Sequence, residues 1–189
     1  MSDDRPLSDD RPPPLAGPIV LVGLMGAGKS TTGRHLARLL GREFVDLDER
    51  IARRAGRSIS ELFAVAGEAA FRELEVGATR EIGAEIRGST GAVVVAAGGG
   101  WMANREARAA LPDATIVWLK VAPAAAARRI GRSGAERPLL TGEDHVARLT
   151  GLLGERLPAY REATYTVDTS GLDPRKVARR IASYMHSDD

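Results

Sequence analysis

The residues best suited to chemistry in this 189-residue chain lie in one glycine-rich stretch, spaced G-x-x-x-x-G-K-S from Gly23 to Ser30. That spacing matches, at every fixed position, a loop that binds the phosphates of a nucleoside triphosphate. Its glycines let backbone N–H groups turn inward around phosphate oxygens, and the helix that follows presents its N-terminus to the anion. Lys29 supplies positive charge near the β- and γ-phosphates, and the Ser30 hydroxyl can ligate Mg²⁺. The motif predicts a bound nucleotide without indicating which reaction uses it.

A second candidate group is a pair of carboxylates, Asp46 and Asp48, separated by one residue. They lie at the end of a short apolar run, 44–47, that we expect to be a strand, so alternation would put both side chains on one side. One carboxylate could then hold Mg²⁺ through water while the other orients an acceptor hydroxyl. Equally, one of them could simply cap a helix beginning near Glu49. The residues alone leave both interpretations open.

The elements that must position these residues alternate between strands and helices. Short apolar runs typical of buried strands occur at 19–22, 44–47, 92–97, 115–120 and 165–167. Helical patterns occur at 29–40, 51–87 with breaks near Gly56 and Gly67, 104–111, from Pro123, 144–156 and from Pro174. This alternation predicts an α/β protein with three layers, α/β/α, around a central, mostly five-stranded parallel sheet. Ligands in such sheets bind beyond the carboxyl ends of the strands.

Two stretches do not fit the alternation. Residues 1–17 repeat Ser-Asp-Asp-Arg-Pro and are rich in proline, so we expect a disordered N-terminal extension. Residues 131–142 are rich in glycine, proline and charge, which predicts a long loop. The remainder, 18–186, is predicted to form a single domain.

The composition argues against several classes of protein. The chain has no cysteine, which excludes disulfides and thiolate metal sites. No apolar run approaches the roughly 20 residues that a membrane helix needs. A net charge of +2, aromatic content of 4% and the lack of a dense basic run argue against a nucleic-acid partner. We therefore expect a cytoplasmic protein that binds neither nucleic acid nor membrane.

Six short motifs, in order along residues 19–185, resemble those of the shikimate kinase family. They are Gly-Leu-Met-Gly-Ala-Gly-Lys-Ser-Thr with Asp46-x-Asp48, Phe71-Arg72-x-x-Glu75, Gly98-Gly99-Gly100, Arg137-Pro138-Leu139-Leu140, Arg156-x-Pro158-x-Tyr160 and Val167-Asp168-Thr169. Any one of them would be weak evidence, but six in sequence are hard to reach by chance. The resemblance implies a monomeric P-loop kinase of the nucleoside monophosphate kinase type. It also implies transfer of the γ-phosphate of MgATP to the 3-hydroxyl of shikimate, a step toward chorismate and the aromatic amino acids.

The resemblance further implies a role for each matched residue. Lys29, Asp48 and Arg137 would be catalytic, Asp48 at the acceptor hydroxyl and Arg137 on a lid at about 131–142. Mg²⁺ would be served by Ser30 and, through water, by Asp46. The nucleotide contacts would be Gly26, Ala27, Gly28, Lys29, Ser30, Thr31, Arg129, Arg137 and Pro174. The shikimate contacts would be Asp48, Arg72, Glu75, Gly98, Gly99, Gly100 and Arg156, with helices at about 49–87 carrying Arg72 and Glu75.

Several of these residues also have ordinary structural interpretations. A planar guanidinium suits a carboxylate, and Glu75 lies three positions after Arg72 on a helix, where it can orient that side chain. The same pair could instead be a surface ion pair worth at most about 1 kcal/mol. Arg156 could be a solvated residue of a helix surface, and the arginines beside Arg129 compete for its role.

Two other classes of function share part of this pattern. Another small P-loop kinase, such as a gluconate or nucleoside monophosphate kinase, would have the same phosphate loop and a lid. Arg72, Glu75 and Arg156 favour an acidic cyclic acceptor over those substrates. A nucleotide-dependent switch that reads guanine would carry Asn-Lys-x-Asp, and the only asparagine, Asn104, is followed by Arg-Glu instead.

Overall fold

The centre of the computed structural model, which describes residues 17–87, 93–133 and 144–185, is a parallel β-sheet. Its strands are β1 (Ile19–Val22), β2 (Glu43–Asp46), β3 (Val93–Ala96), β4 (Thr115–Lys120) and β5 (Tyr165–Asp168). All four neighbouring pairs are parallel, in the order β2-β3-β1-β4-β5. The predicted five-stranded parallel sheet is confirmed.

Helices connect the strands, as the alternation predicts. They are α1 (Lys29–Leu40), α2 (Leu47–Ala55), α3 (Ile59–Arg87), α4 (Arg105–Ala109), α5 (Pro123–Ser133), α6 (His145–Tyr160) and α7 (Pro174–Tyr184), with a 3₁₀ turn at Trp101–Ala103. Both predicted breaks are present. Gly56 ends α2 in the left-handed conformation, and Gly67 interrupts α3 with φ 77°. No helix of the described ranges is long and apolar enough to cross a membrane.

The core forms on both faces of the sheet, which explains why β1 is apolar at every position. Ile19 and Leu21 pack into a cluster with side chains of α1, α5 and α7, whereas Val20 and Val22 pack with α2 and α3 on the other face. All four β1 side chains are fully buried. Each face of a parallel sheet must be covered by helices, and the three-layer α/β/α prediction is confirmed.

The order of the strands also fixes where a ligand can bind. β1 lies between β3 and β4, and the connections that leave the carboxyl ends of the neighbouring strands β1 and β3 run in opposite directions along the sheet. A crevice opens at such a switch point. The glycine-rich loop follows β1 directly, which puts it at that crevice.

Several predicted boundaries differ from the structure. β2 ends at Asp46 and helix α2 starts at Leu47, so Asp48 is helical and the strand-alternation argument for the acidic pair was wrong. The Asp46 side chain accepts a hydrogen bond from the Glu49 backbone N–H (3.3 Å), which starts the helix early. The expected loop at 131–142 begins later, because α5 continues through residue 133.

Helix α6 is longer than predicted, for a packing reason. It passes Arg156 and includes Pro158, which removes one helical N–H. Its last residue, Tyr160, is fully buried and stacks on Trp118 of β4, with ring centroids 5.5 Å apart. That contact holds the final turn in place despite the proline.

Candidate active site

A cavity of about 470 Å³ opens at the carboxyl ends of the strands. It is lined by residues predicted for both substrates: Gly26, Ala27, Gly28, Lys29, Ser30, Thr31, Asp46, Asp48, Arg72, Gly98, Gly99, Gly100, Arg129, Arg156 and Pro174. Glu75 does not line it and lies behind Arg72. Arg137 and residues 134–142 of the predicted lid fall outside the described residues. The fold thus gathers into one cavity side chains that are up to 148 positions apart, from Gly26 to Pro174.

The phosphate loop, residues 23–30, owes its shape to glycine. Gly26 and Gly28 have φ of 78° and 86°, a region that other residues rarely adopt. A Cβ at Gly26 would also lie 2.7 Å from the Ala126 carbonyl oxygen of α5, so the loop packs closely on that helix. Because α1 begins at Lys29, its N-terminus points into the loop and favours an anion.

The charge of Lys29 is held at this loop. Its Nζ donates hydrogen bonds to the carbonyl oxygens of Gly23 (2.9 Å) and Leu24 (3.1 Å). These contacts keep the ammonium group beside the positions at which phosphate oxygens would bind.

Ser30 and Asp46 meet at the floor of the cavity. The Ser30 hydroxyl donates to Asp46 Oδ2 at 2.5 Å, while Asp46 Oδ1 accepts the helix-capping bond from Glu49. The two interpretations of Asp46, metal partner and helix cap, are therefore compatible. In the described part of the chain no three His, Asp or Glu side chains cluster into a metal cage. One hydroxyl and one carboxylate instead suit an ion such as Mg²⁺ that takes its other ligands from water and nucleotide phosphates.

Asp48 faces the other end of the cavity from the first turn of α2. Its Oδ1 lies 3.2 Å from the position that a Cβ would take on Gly98, directly after β3. Glu75 Oε1 is 3.1 Å from the same position, so the two carboxylates flank Gly98. A side chain at Gly98 would intrude between them.

Arg72 is held by carboxylates from its own helix. Its NH1 pairs with Glu75 Oε2 at 3.1 Å, and its NH2 pairs with Glu68 Oε1 at 2.7 Å. Burial lowers the pKa of Arg72, but the Glu75 and Glu68 carboxylates raise it by more, so the net shift is upward. Burial raises the pKa of Glu75, and the charge of Arg72 partly opposes that rise. Glu75 has no exposed side-chain surface and the Arg72 side chain is 24% exposed, so the pair is partly buried and is not a solvated surface pair.

Two guanidinium groups from distant helices converge on the glycine run at 98–100. A Cβ on Gly99 would lie 2.6 Å from NH1 of Arg156, and a Cβ on Gly100 would lie 2.6 Å from the guanidinium carbon of Arg72. Consecutive Cα atoms are only about 3.8 Å apart, so the two cations sit at neighbouring backbone positions. This arrangement can bind one carboxylate from two sides.

The nucleotide end of the cavity distinguishes Arg129 from its neighbour Arg128, which is exposed. Arg129 donates to the Thr169 carbonyl oxygen (2.5 Å) and to the Gly26 carbonyl oxygen (3.2 Å), joining α5 to the phosphate loop. Apolar side chains complete this end: Ile130, Leu172 and Val177, beside Pro174. An apolar slot next to a cation suits a nucleobase.

Asn104 supports the acceptor end, and sequence reasoning assigned it no such role. Its Nδ2 lies 3.4 Å from both Glu75 Oε2 and the Arg72 carbonyl oxygen, while its Oδ1 caps α4 at the Ala107 N–H. These contacts cross 29 and 32 residues of sequence. No local pattern carries a signal for them.

Similarity to known proteins extends over most of the chain. A family model described as shikimate kinase matches residues 25–186. The chain is 48% identical over 173 residues to the shikimate kinase of Thermobifida fusca (strain YX), covering 91% of this chain and 95% of that protein. It is 46% identical over 173 residues to the shikimate kinase of Caulobacter vibrioides (strain NA1000 / CB15N), covering 91% and 83%.

Solved structures agree with the sequence comparison. Shikimate kinase from Acinetobacter baumannii in complex with shikimate superimposes with a TM-score of 0.84 at 38% identity, covering 92% of this chain and 94% of that one. A gluconokinase from Sinorhizobium meliloti 1021 reaches a TM-score of 0.55 at 20% identity, which shows a shared fold alone. The phosphate loop, the two converging arginines and these matches lead to one conclusion: the chain belongs to the shikimate kinase family, ATP-dependent kinases with the P-loop kinase fold.

Proposed function

We propose that this protein transfers the γ-phosphate of MgATP to the 3-hydroxyl of shikimate, giving shikimate 3-phosphate and ADP. The observation that carries the choice of acceptor is the convergence of Arg72 and Arg156 on neighbouring glycines. Two planar cations at one point favour a carboxylate, and the family match over residues 25–186 supports shikimate as its bearer.

Preorganisation of Arg72 supports this assignment. Glu75 is buried and fixed by the same guanidinium, so Arg72 loses little side-chain freedom when a ligand binds. The second carboxylate on Arg72 belongs to Glu68, whose side chain is 61% exposed. An incoming acceptor carboxylate can therefore replace Glu68 at the surface while Glu75 keeps the guanidinium aligned.

On the nucleotide side, backbone N–H groups of the phosphate loop and the N-terminus of α1 would bind the β- and γ-phosphates. Lys29 would exchange its carbonyl partners for phosphate oxygens. We propose that Ser30, and Asp46 through water, hold Mg²⁺. When bound, the ion would neutralise charge that develops on the transferred group.

Asp48 would orient the attacking hydroxyl. It lies on the same side of the cavity as Gly98 and the arginines, within reach of an acceptor whose carboxylate binds there. Phosphoryl transfer passes through a loose transition state, so catalysis consists mainly of alignment and charge stabilisation. Accordingly, Asp48 would accept the hydroxyl proton as the O–P bond forms and the bond from the γ-phosphorus to the ADP oxygen breaks.

The lid, the oligomeric state and the cellular location of the protein complete the proposed function. Arg137 would move onto the phosphates, and closure of the lid would exclude water that could otherwise hydrolyse ATP. We further propose a cytoplasmic monomer that binds neither nucleic acid nor membrane. Light scattering of the protein as it elutes from a size-exclusion column would show a mass near 20.1 kDa if it is monomeric.

The proposal is tested by ADP release from MgATP with shikimate, gluconate, AMP or no acceptor. Release that requires shikimate confirms the reaction and the acceptor together. Release with gluconate or AMP would keep the kinase activity and contradict the roles given to Arg72 and Arg156. Acceptor-independent release would indicate an ATPase or a switch.

A further inference from the structure

A buried hydroxyl lies directly behind the acceptor end of the cavity, on Tyr160 at the end of α6. The residue is fully buried, yet its hydroxyl group is not left in an apolar environment. It donates a hydrogen bond to the Gly99 carbonyl oxygen at 2.6 Å, across 61 residues of sequence. A buried phenol needs such a partner, and here the partner is the middle of the glycine run.

The same hydroxyl also contacts Arg156, one helical turn earlier on α6. The Arg156 guanidinium lies beside the Tyr160 hydroxyl, where it lowers the pKa of the phenol by its charge and as a hydrogen-bond donor. The position of a Cβ on Gly99 would be 2.6 Å from Arg156 NH1 and 3.6 Å from the Tyr160 hydroxyl. Gly99, Tyr160 and Arg156 thus meet at one point.

The ring of Tyr160 is fixed from the other side. It stacks on Trp118 of β4 at an interplanar angle of 23°. Trp118 is itself only 7% exposed, so the ring has little room to move. The hydroxyl is therefore held in one position, and from there it contacts both the flexible Arg156 side chain and the glycine run.

We propose that Tyr160 is a positioning residue for the acceptor: its hydroxyl joins the Gly99 carbonyl to the Arg156 guanidinium and holds both where the acceptor carboxylate binds. The inference rests on the proposed function, since it requires Arg156 to bind the acceptor. Burial raises the pKa of Tyr160 to about 12, with the nearby Arg156 charge opposing the rise. The phenol therefore keeps the proton that it donates to Gly99 under ordinary conditions.

A positioning role and a packing role predict different kinetics. Tyr160→Phe keeps the ring and its stacking but removes the bridge between Gly99 and Arg156. Positioning predicts a rise of about 3- to 10-fold in the shikimate KM, the factor expected for one net hydrogen bond, with the ATP KM unchanged. A packing role would change the unfolding midpoint without separating the two KM values.

The experiment measures both KM values for the wild type, Tyr160→Phe, Arg156→Ala and the double variant. Tyr184→Phe is the matched control, because Tyr184 stacks on Tyr165 and does not line the cavity. Thermal unfolding of each variant, followed by tryptophan fluorescence, identifies an assay temperature at which every variant is folded. Since Tyr160 is expected to act through Arg156, Tyr160→Phe should add less than about 2-fold when Arg156 is already alanine.

Two results would overturn the role of Tyr160 and leave the proposed function intact. One is an active wild type whose shikimate KM is unaffected by Tyr160→Phe. The other is a double variant whose fold-change in shikimate KM equals the product of the fold-changes of the two single variants. A wild type without shikimate-dependent ADP release would overturn the proposed function, and the inference with it. Control and Tyr160→Phe variants that behave alike would likewise contradict a bridging hydroxyl.

Discussion

The two ends of the cavity differ in the groups that line them, main chain at one end and side chains at the other. The nucleotide end is mostly backbone, one continuous loop at 23–30 whose shape depends on glycines and on the start of α1. The acceptor end is mostly side chain, with Arg72 from α3 and Arg156 from α6 meeting at the glycine run after β3. A backbone site tolerates changes in nearby side chains, whereas a side-chain site depends on each supporting contact. Substitutions should therefore affect the two substrates separately, except where the two ends join.

Asp48 lies at that junction, and its substitution should have the largest effect. Asp48→Asn keeps the shape of the side chain and removes its ability to accept the hydroxyl proton. We expect kcat to fall by about 10²- to 10⁴-fold, the range typical of a general base. Nucleotide binding, measured by calorimetric titration with ADP, should be unchanged.

Glu49→Gln is the control for that variant. Glu49 is the next residue on α2, is exposed, pairs with Arg34 and does not line the cavity. It should retain wild-type turnover. Near wild-type turnover in Asp48→Asn would contradict the assigned role.

Arg72→Ala should show most clearly that the two ends are separate. A hydrogen bond to a charged group is worth about 1.5–3 kcal/mol, so the shikimate KM should rise about 10- to 100-fold. The ATP KM should not change, since the contacts that Arg72 makes with Glu68, Glu75 and the Gly100 position lie at the acceptor end. The control is Arg80→Ala on the same helix, because Arg80 is exposed and pairs only with Glu106 at 3.3 Å within the described residues. Equal rises in both KM values would show that the two ends are coupled.

Gly100→Ala sharpens the comparison by moving a cation without removing it. The new Cβ would come within 2.6 Å of the Arg72 guanidinium carbon, while φ of −97° suits alanine. A guanidinium can shift at small cost, so stability should change by less than about 1 kcal/mol. The displaced cation should raise the shikimate KM several-fold and leave the ATP KM unchanged.

Gly77→Ala is the matched glycine control for this variant. A Cβ at Gly77 of α3 would meet nothing within 4 Å. Alanine in a helix interior is favoured over glycine by about 1 kcal/mol, so stability should rise and both KM values should stay constant. An unchanged shikimate KM in Gly100→Ala would mean that Arg72 need not occupy its present position.

A further prediction concerns stability at alkaline pH, away from either substrate. Because burial raises the pKa of Tyr160 from 10.0 to about 12, the folded state holds the phenolic proton more tightly than the unfolded state. The resulting contribution is complete below pH 10 and is lost progressively as the pH rises toward 12. The free energy of unfolding of the wild type, minus that of Tyr160→Phe, should fall by about 1.4 kcal/mol between about pH 9 and about pH 11. A constant difference would contradict the raised pKa.

The same contrast explains what the sequence could predict. The phosphate loop is contiguous, so its spacing alone predicted the nucleotide end, and the hydrophobic patterns predicted all five strands to within a few residues. The start of α2 was misjudged because the capping bond from Asp46 competes with continuation of β2. The same carboxylate also accepts a hydrogen bond from Ser30, 16 residues earlier, which no local pattern indicates.

The acceptor end was predictable only through resemblance. Without the family resemblance, Arg156 fits a helix-surface residue. No local pattern links it to Arg72, which is 84 positions earlier in the sequence. In the structure Arg156 lies against Gly99 and Arg72 lies against Gly100. The contact of Asn104 with Glu75 and the hydrogen bond from Tyr160 to Gly99 had no local signal, since these partners lie 29 and 61 residues away. Contacts between side chains that are distant in sequence require the folded chain.

Identification of the product tests the proposed phosphoryl transfer most directly. Wild-type protein, MgATP and shikimate would be allowed to react to completion, and the organic phosphate examined by phosphorus and proton NMR. Alignment of the acceptor by Asp48 predicts one phosphate monoester, on the 3-hydroxyl of shikimate, formed in equal amount to ADP. A phosphate on another hydroxyl would contradict the alignment by Asp48, and ADP with only inorganic phosphate would contradict the transfer itself.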